Sequence, residues 1–359
     1  MNLLLAPRLR PRTPERFPLV SAIVPARDEE RDIERAVRAL LAQTYPALEL
    51  IVVNDRSTDA TGEILARIAR EDARLDARLI VVDNTEPPEG WLGKPWALHQ
   101  GASRARGELL LFIDADVIYE PEAIAAAVAE IEERRLPMIT LMPYMEMHGF
   151  WEHIAMPNLA VFAFTMVPLW LMNRTRFARF ALGGGTGNFV RRADYEACGG
   201  HVPLRDAVVD DIGLGRLFRR NGRQTEFVLA DTLVSVRMYH GLGEIVRGFT
   251  KNSFAVVGRS YVVALAAVLL GGVFHILPYV LALFGDPISI ATVVVISLTR
   301  LILFLALRYR ADNALLGHPL MMLVWCWIML RSLWLTGIRR ELEWRGRRYD
   351  ARRTRFGAD

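Results

Sequence analysis

Apolar and amphipathic segments alternate between Leu19 and Pro143, and this alternation limits the possible folds more than any other feature of the chain. The apolar segments are nearly continuous runs of Val, Ile and Leu, as in parallel strands covered by helices on both faces. They are LVSAIVPA (19–26), LELIVVND (48–55), RLIVVDN (78–84), ELLLFIDAD (108–116) and MITLMP (138–143). The spacing predicts βαβ units and a doubly wound α/β sheet, in which ligands bind beyond the carboxyl ends of the strands.

Polar clusters stand at three of these strand ends: Pro25-Ala26-Arg27-Asp28, Asn54-Asp55 and Asp114-Ala115-Asp116. In an extended chain, the side chains of Asp114 and Asp116 point to the same side, so their charges repel unless a cation lies between them. The local sequence alone also allows a solvated acidic strand end. Because three polar clusters share one edge of the predicted sheet, we favour a divalent metal site.

The C-terminal third is apolar enough to enter a membrane. The whole chain is 52% hydrophobic yet 23% charged, which predicts a water-exposed domain joined to a membrane part. Ser260–Gly285 carries no charge apart from a possible one on His275, and roughly 20 apolar residues suffice for one span. Pro287–Leu307 is a second candidate and Ala314–Leu330 a third, so we expect two to three spans.

These patterns divide the chain into five parts. We expect an N-terminal tail (1–18), a catalytic domain (19–240), an amphipathic juxtamembrane segment (241–259), a membrane region (260–338) and a basic tail (339–359). Three spans would put the catalytic domain and the basic tail on opposite sides, whereas the positive-inside tendency favours the cytoplasm for both. We expect a multi-pass membrane protein with its catalytic domain on the cytoplasmic side.

Charge and cysteine content argue against a nucleic-acid-binding protein and against a protein built on disulfides or zinc. Much of the excess of +4 comes from arginines after residue 338, and such a segment next to apolar spans typically contacts anionic lipid head groups. No basic face with base-stacking aromatics is present, so we expect no nucleic-acid partner. Cys198 and Cys326 lie far apart and predict neither a disulfide nor a zinc site.

Residues 150–172 are apolar but interrupted by prolines, which predicts surface helices against lipid or over the site, with a buried core helix as the alternative.

The ordered motifs resemble those of the family 2 glycosyltransferases over about residues 19–260. They are SAIVPARDEERDIERAVRALLAQTYPALELIVVNDRSTDAT, GKPWALHQGASRARGELLLFIDADV and VVDDIGLG. EGWLGKPWAL, YHGLGEIVRGFTKN and EWRGRRY are more narrowly similar to membrane-bound glycosyltransferases of carotenoid or hopanoid pathways. The resemblance implies a GT-A fold with C-terminal transmembrane helices, and an inverting reaction with a nucleotide-diphosphate sugar.

The resemblance also implies residue roles. The residues it assigns to the donor are Pro25, Arg27, Glu29, Asp55, Lys94, Asp114 and Asp116. Asp55 would hydrogen-bond the base, while Asp116 would hold Mg²⁺ or Mn²⁺ and Asp114 the ribose or sugar, although both acids could share the cation. Asp28 stands where the family often has Asn. Oxygen ligands and hard cations suit a diphosphate, whose leaving charge the metal stabilises.

Transfer to a hydroxyl also requires a proton acceptor, and the resemblance implies Asp211 in VVDD. The alternative for this acidic pair is an N-terminal helix cap with a favourable helix dipole. Two adjacent acids also allow both roles together, with Asp210 capping or orienting while Asp211 faces the acceptor. The glycines of GGGTG (183–187) predict a flexible floor under the sugar or acceptor, or else a plain tight turn.

The predicted function is the transfer of one sugar, with a UDP-sugar as the expected donor, to a lipid-soluble, isoprenoid-type acceptor. Processive family members carry QxxRW, whereas this chain has IVRGFTKN, where Arg247 could contact the diphosphate or lipid head groups. A processive polysaccharide synthase is therefore the second choice. A non-catalytic membrane scaffold and a nucleotidyltransferase are disfavoured because the acids of sugar transfer are all present.

Overall fold

A computed structural model describes residues 5–72, 78–166, 169–314, 316–344 and 347–350. The chain divides into two compact units. We call Ala6–Met145 with Trp170–Arg237 the sheet unit, and Glu146–Leu169 with Met238–Thr354 the helical unit.

The sheet unit is built on a mixed seven-stranded sheet in the order β3-β2-β1-β4-β8-β6-β9, and a smaller sheet has the order β5-β10-β7. The strands are β1 (Val20–Ala26), β2 (Leu48–Asn54), β3 (Leu79–Asp83), β4 (Leu109–Phe112), β5 (Val117–Tyr119), β6 (Met138–Met142), β7 (Tyr144–Met145), β8 (Asn188–Arg191), β9 (Thr225–Leu229) and β10 (Val234–Val236). Strand β8 runs antiparallel to β4 and β6, whereas β1 is parallel to β2 and β4.

The helices follow the predicted alternation. In chain order they are α1 (Ile33–Leu41), α2 (Thr61–Asp72), α3 (Gly93–Arg104), α4 (Ala123–Glu133), α5 (Phe150–Ala155), α6 (Pro157–Met166), α7 (Leu169–Met172), α8 (Arg192–Ala197), α9 (Asp210–Arg220), α10 (Gly241–Val256), α11 (Tyr261–His275), α12 (Leu277–Ala282), α13 (Pro287–Ala306) and α14 (Gly317–Ser332). Helix α1 shows why these segments are helical. Its apolar residues recur at helical spacing and are all buried: Ile33, Ala36, Val37 and Leu40.

The five predicted strands are confirmed, with one correction at the fourth. Strand β4 ends at Phe112, and Asp114–Asp116 lie in the turn between β4 and β5 rather than in an extended strand. Simple strand alternation therefore does not describe the directions of the two acidic side chains. The backbone leaves the ladder here because Asp114 N–H donates to the carbonyl of Gly185 (2.7 Å), across from β4.

The N-terminal segment from residue 6 lies along the edge of the large sheet. Leu9 N–H donates to the carbonyl of Leu229 (2.7 Å), and Leu229 N–H donates to the carbonyl of Pro7 (2.8 Å). The Arg8 guanidinium lies 3.0 Å from the Asp231 carboxylate. The segment thus covers an edge strand that would otherwise present unpaired backbone groups. Residues 1–4 of the predicted tail lie outside the described residues.

The helical unit contains helices long and apolar enough to cross a membrane. Three such candidates occur among the described residues: Tyr261–Ala282, Pro287–Ala306 and Gly317–Ile338. Their apolar side chains are largely exposed, as lipid-facing residues would be, and Leu269 and Phe274 are examples. Helix α5, from the apolar 150–172 segment, packs on α10 and α14, and the Trp325 indole N–H donates to the carbonyl of Ala155 (3.0 Å).

The C-terminal end of the helical unit forms a short antiparallel hairpin, β11 (Glu341–Trp344) with β12 (Arg347–Asp350). Residues 345, 346 and 351–359 lie outside the described residues. The predicted lipid contact of the basic tail falls largely on that part and stays a prediction.

A buried arginine links two of the candidate spans. Arg300 is 1% exposed, and its guanidinium donates to the carbonyls of Ala314 (3.0 Å) and Asn313 (3.3 Å). It also lies 3.3 Å from His318 Nδ1, and His318 Nε2 lies 3.0 Å from His275 Nδ1. No carboxylate of the described residues pairs with this charge. Arg300 therefore serves as a donor that closes the connection between α13 and α14.

We predict that Arg300→Met lowers the thermal stability of the full chain in detergent or nanodiscs. The substitution fills similar space but leaves the Ala314 and Asn313 carbonyls without their donor, and hydrogen bonds to charged groups are each worth about 1.5–3 kcal/mol. Ile302→Met is the matched control, because Ile302 lies on the same helix and is exposed. A melting temperature for Arg300→Met equal to or above that of the control would contradict this role.

Candidate active site

The sequence-predicted site residues meet at one edge of the large sheet because β1, β2 and β4 are parallel neighbours. Ala26 is in register with Asn54, and Ile23 with Phe112, so the loops after these strands begin side by side. Pro25 lies within β1, opposite Val53. The predicted positions after the three strands are thus brought together.

The loops after β1 and β2 are joined by reciprocal hydrogen bonds. Asp28 N–H donates to Ser57 Oγ (3.1 Å), and Thr58 N–H donates to Asp28 Oδ1 (2.8 Å). Glu29 N–H donates to Thr61 Oγ1 (2.8 Å). Asp28 has φ = 51°, a conformation in which Asp and Asn are the most tolerated non-glycine residues. The backbone at this position therefore accommodates Asp as readily as Asn.

Asp55 is a buried carboxylate with partners on three sides. It is 3% exposed, and Asn84 Nδ2 donates to its Oδ1 (3.1 Å). The Arg27 guanidinium donates to the Asp55 carbonyl (2.8 Å) and lies 3.7 Å from Oδ2, while the Arg56 guanidinium lies 3.3 Å from Oδ1. Sequence reasoning missed Arg56 and Asn84. The position of Asn84 at the end of β3, on the same sheet edge, was the available signal.

The glycine loop, Gly183–Gly187, lies against both acidic motifs. A Cβ at Gly183 would stand 1.8 Å from the Asp211 carbonyl oxygen, and a Cβ at Gly185 would stand 2.1 Å from Asp114 Oδ2. Neither position could carry a side chain without movement of its neighbour. The loop contains a hydrogen-bonded turn, in which Gly187 N–H donates to the carbonyl of Gly184 (3.1 Å), and its backbone also packs closely on the two acids.

Asp211 lies in the first turn of α9, and its carboxylate is held on the glycine loop. Gly185 N–H donates to Asp211 Oδ2 (2.9 Å), and Ile212 N–H donates to Oδ1 (2.8 Å). Asn188 Nδ2 donates to the Asp211 carbonyl (3.1 Å). The N-cap residue is Val209, so neither Asp210 nor Asp211 caps the helix. Both acids nevertheless lie in the first turn of α9, where the helix dipole favours negative charge, as the alternative also expects.

Lys94, at the start of α3, lies between the two acidic motifs. Its Nζ is 2.7 Å from Asp114 Oδ1 and 3.7 Å from Asp210 Oδ1. Burial opposes the charge, but Asp114, Asp210 and Asp211 hold the pKa of Lys94 well above its usual value. Burial raises the pKa of Asp210 to about 6 against the attraction of Lys94. Sequence reasoning gave Asp210 a role in helix geometry, whereas its carboxylate belongs to the charged cluster.

Asp116 is an acid whose ionised form the described residues do not stabilise. Burial raises the pKa of Asp116 to about 8, and the neighbouring charges of Asp114 and Glu29 add to the rise. No basic side chain among the described residues pairs with Asp116. The described residues also contain no cluster of three His, Cys, Asp or Glu that could by itself hold a metal ion. An acid without a basic partner among the described residues, in an incomplete ligand set, fits a cation that phosphate oxygens also coordinate.

An aromatic and histidine cluster lies beside Lys94. His99 lies 5.0 Å from the Trp91 ring and stacks on Trp96 at 5.6 Å, as expected for a packed residue rather than a ligand. His201 is buried and lies 2.7 Å from the Tyr195 hydroxyl. Burial lowers the pKa of His201 to about 3, helped by His99 and Lys94, so this ring is neutral and adds no positive charge.

Comparison with known proteins finds similarity to glycosyltransferases. Residues 21–193 match the family model described as glycosyl transferase family 2. The chain is 26% identical over 341 residues to 4,4'-diaponeurosporenoate glycosyltransferase of Staphylococcus aureus strain USA300, covering 92% of this chain and 88% of the relative. The same figures hold for the relative from strain MRSA252.

Among solved structures, the chain is similar to the mannosyltransferase PcManGT from Pyrobaculum calidifontis in complex with GDP-Man and Mn2+. The TM-score is 0.58 at 19% identity, over 94% of this chain and 92% of that one. This similarity concerns the fold. With the family match, it confirms the predicted GT-A class, a doubly wound mixed sheet followed by apolar helices that could span a membrane.

We predict that Gly183→Ala impairs the protein whereas Gly184→Ala does not. The nearest atom to a Cβ at Gly184 is Thr186 Oγ1 at 3.4 Å, an ordinary contact, so this neighbouring glycine is the matched control. A Cβ at Gly183 must displace the backbone of Asp211, at a cost of about 1–3 kcal/mol for overpacking, and a shift of about 1 Å can reduce turnover a hundredfold.

Thermal unfolding and glycosyl transfer of the two variants are measured side by side. Equal stability and activity of Gly183→Ala and Gly184→Ala would show that the close approach at Gly183 is unimportant.

Proposed function

We propose that this chain is a family 2 glycosyltransferase, as its similarity to that family model and to its relatives suggests, and that it transfers one sugar from a nucleotide-diphosphate sugar to a lipid-soluble acceptor, with inversion. The observation that carries the proposal is the contact of Gly185 with both acidic motifs. The Gly185 N–H donates to the Asp211 carboxylate, and the Gly185 carbonyl accepts from Asp114 N–H. The proposed base and the proposed donor-binding acid are therefore both hydrogen-bonded to Gly185.

The donor end of the site is proposed to lie at the loops after β1 and β2. The Asp55 carboxylate, held by Arg27, Arg56 and Asn84, can accept hydrogen bonds from the N–H groups of a nucleobase. A uracil offers such a group, so a UDP-sugar remains the proposed donor. Lys94 stands between Asp114 and Asp210 and can turn from these carboxylates to the donor diphosphate.

A divalent cation, Mg²⁺ or Mn²⁺, is proposed to bind Asp116 and to share Asp114 with Lys94. The position of Asp116 next to other acids and without a basic partner among the described residues supports this, because the two acids and the donor phosphates together supply the oxygen ligands that hard cations take. When bound, such a cation stabilises the negative charge that develops on the leaving diphosphate. Asp114 would then orient the ribose or sugar next to it.

Asp211 is the proposed general base. Both of its oxygens accept backbone hydrogen bonds, which fix the carboxylate while leaving lone pairs for an acceptor hydroxyl. An acceptor that is itself a carboxylate is already ionised near neutral pH and needs no base. The two acceptor classes therefore differ in how strongly they depend on Asp211.

The acceptor is proposed to be an isoprenoid-type lipid. The name of the Staphylococcus aureus relatives includes diaponeurosporenoate, and the alignment with them spans 92% of this chain, including its apolar helices. We further propose that the three candidate spans hold the enzyme in the cell membrane, with the sheet unit on the cytoplasmic side. The absence of QxxRW supports transfer of a single sugar. A polymeric product would instead identify the processive alternative.

We predict that Asp211→Asn abolishes most transfer to an isoprenoid alcohol but leaves donor binding near normal. General-base catalysis typically contributes about 10²–10⁴-fold, and the amide cannot accept the proton. Transfer to the corresponding isoprenoid carboxylate should fall much less. Turnover with purified enzyme, metal and a nucleotide-sugar panel is measured for both acceptors.

Asp194→Asn is the matched control, because Asp194 lies in the same unit but pairs with Arg223 (3.0 Å). Turnover by Asp211→Asn with the alcohol equal to that of the control would remove Asp211 from the role of base.

We predict that Asp116→Asn removes the metal dependence of nucleoside-diphosphate binding. In the unaltered enzyme, Mn²⁺ should tighten binding about ten- to hundredfold relative to EDTA, the value of one or two charge-assisted contacts. Asp114→Asn should retain part of this effect, because Lys94 already neutralises Asp114. Calorimetric titration with and without metal measures all three proteins. A metal effect in Asp116→Asn as large as in the unaltered enzyme would exclude Asp116 as a ligand.

A further inference from the structure

Residues 174–180, which we call the basic–aromatic segment, form an exposed and unbalanced cationic surface on the sheet unit. Arg174, Arg176 and Arg179 are exposed, and no carboxylate among the described residues pairs with them. The chain has no Asp or Glu at all between Glu152 and Asp194. The positive charge of this segment is therefore not part of a local ion-pair network.

Aromatic rings share this surface with the arginines. Phe177 is 65% exposed, in the midst of the three charges. The Arg179 guanidinium lies 5.6 Å from the centre of the Phe177 ring and 4.9 Å from that of Phe180, so the cation covers both rings. Single exposed apolar residues are common, but an exposed ring flanked by unpaired cations matches the chemistry of a membrane–water interface.

Buried contacts hold the segment in place. Asn173 exchanges two hydrogen bonds with the backbone of Phe227, both 2.9 Å. Arg219, which is 6% exposed, donates to the carbonyls of Met172 (2.6 Å) and Phe177 (3.3 Å). A fixed surface loses less conformational freedom on binding than a disordered one.

We propose that the basic–aromatic segment docks on the head groups of anionic lipids. The arginines would contact phosphate groups, and Phe177 would enter the interfacial layer beside them. Basic side chains near an anionic leaflet each strengthen binding by several fold, an effect that salt screens. An anionic bilayer is favoured over an acidic protein because the surface combines charge with an exposed ring, in a chain that carries three candidate spans.

The basic–aromatic segment leads into the glycine loop through Ala181 and Leu182. The Leu182 carbonyl, one residue before the glycine loop, accepts a hydrogen bond from Thr140 Oγ1 (3.4 Å). Docking would thus steady the backbone that contacts Asp114 and Asp211. If the proposed transfer function also holds, anionic lipid should raise turnover.

Hydrogen–deuterium exchange of the full chain in nanodiscs tests the docking without any assay of transfer. The probe is phosphatidylglycerol mixed into phosphatidylcholine, compared with phosphatidylcholine alone. Exchange of peptides covering residues 173–182 should slow about tenfold in the anionic discs and return to the neutral-disc rate in 1 M salt. Because this readout needs no substrate, its failure is distinct from failure of the transfer function.

The test variant is Arg174→Gln/Arg176→Gln/Arg179→Gln. The matched control, Arg10→Gln/Arg70→Gln/Arg104→Gln, removes the same charge from exposed positions of the sheet unit. The control should keep the lipid effect on exchange and the test variant should lose it, while Phe177→Ser should weaken it. Equal exchange of wild type in both lipids, or a lipid effect that survives in the test variant, would overturn the proposal. Equal slowing in neutral discs by a soluble polyglutamate would point to an acidic protein instead and would also overturn it.

Discussion

The site depends on a backbone contact that only glycine permits. At Gly183 and Gly185 the chain passes so close to the Asp211 carbonyl and the Asp114 carboxylate that a Cβ would overlap them. This approach lets one peptide segment hydrogen-bond the start of α9 and the turn after β4 at once. The relative position of the acids is consequently set by main-chain geometry, which is stiffer than a pair of long side chains.

Electrostatics complements this rigid frame. Asp114, Asp210 and Asp211 gather around Lys94, and Asp114 and Glu29 lie near Asp116. The unfavourable burial and the repulsion between these acids raise the pKa values of Asp116 and Asp210. Such a cluster is unfavourable for stability alone, and perturbed acids in a polar cleft are typical of functional sites. The repulsion between these acids is unfavourable for folding, and it would be relieved by the divalent cation that we propose to bind there.

Sequence reasoning succeeded where a short pattern dictates a local structure. Apolar runs gave β1, β2, β3 and β6 within a residue or two, and β1 and β2 are buried almost throughout, as expected of strands covered on both faces. It was less accurate at Asp114–Asp116, where a bond to Gly185, distant in sequence, ends β4 early. It also missed Arg56 and Asn84 around Asp55, since contacts between loops depend on sheet order rather than on neighbours in the chain.

The sequence by itself determined the fold class and the shared sheet edge, since hydrophobic periodicity and strand ends are local properties. Tertiary structure alone decided which partner each acid has. It placed Lys94 between Asp114 and Asp210, gave Asp116 no basic partner among the described residues, and used Gly185 to join Asp114 to Asp211. The physical reason is that the antiparallel register of β8 on β4 brings residues more than seventy positions apart to within hydrogen-bond distance. No local pattern encodes that register.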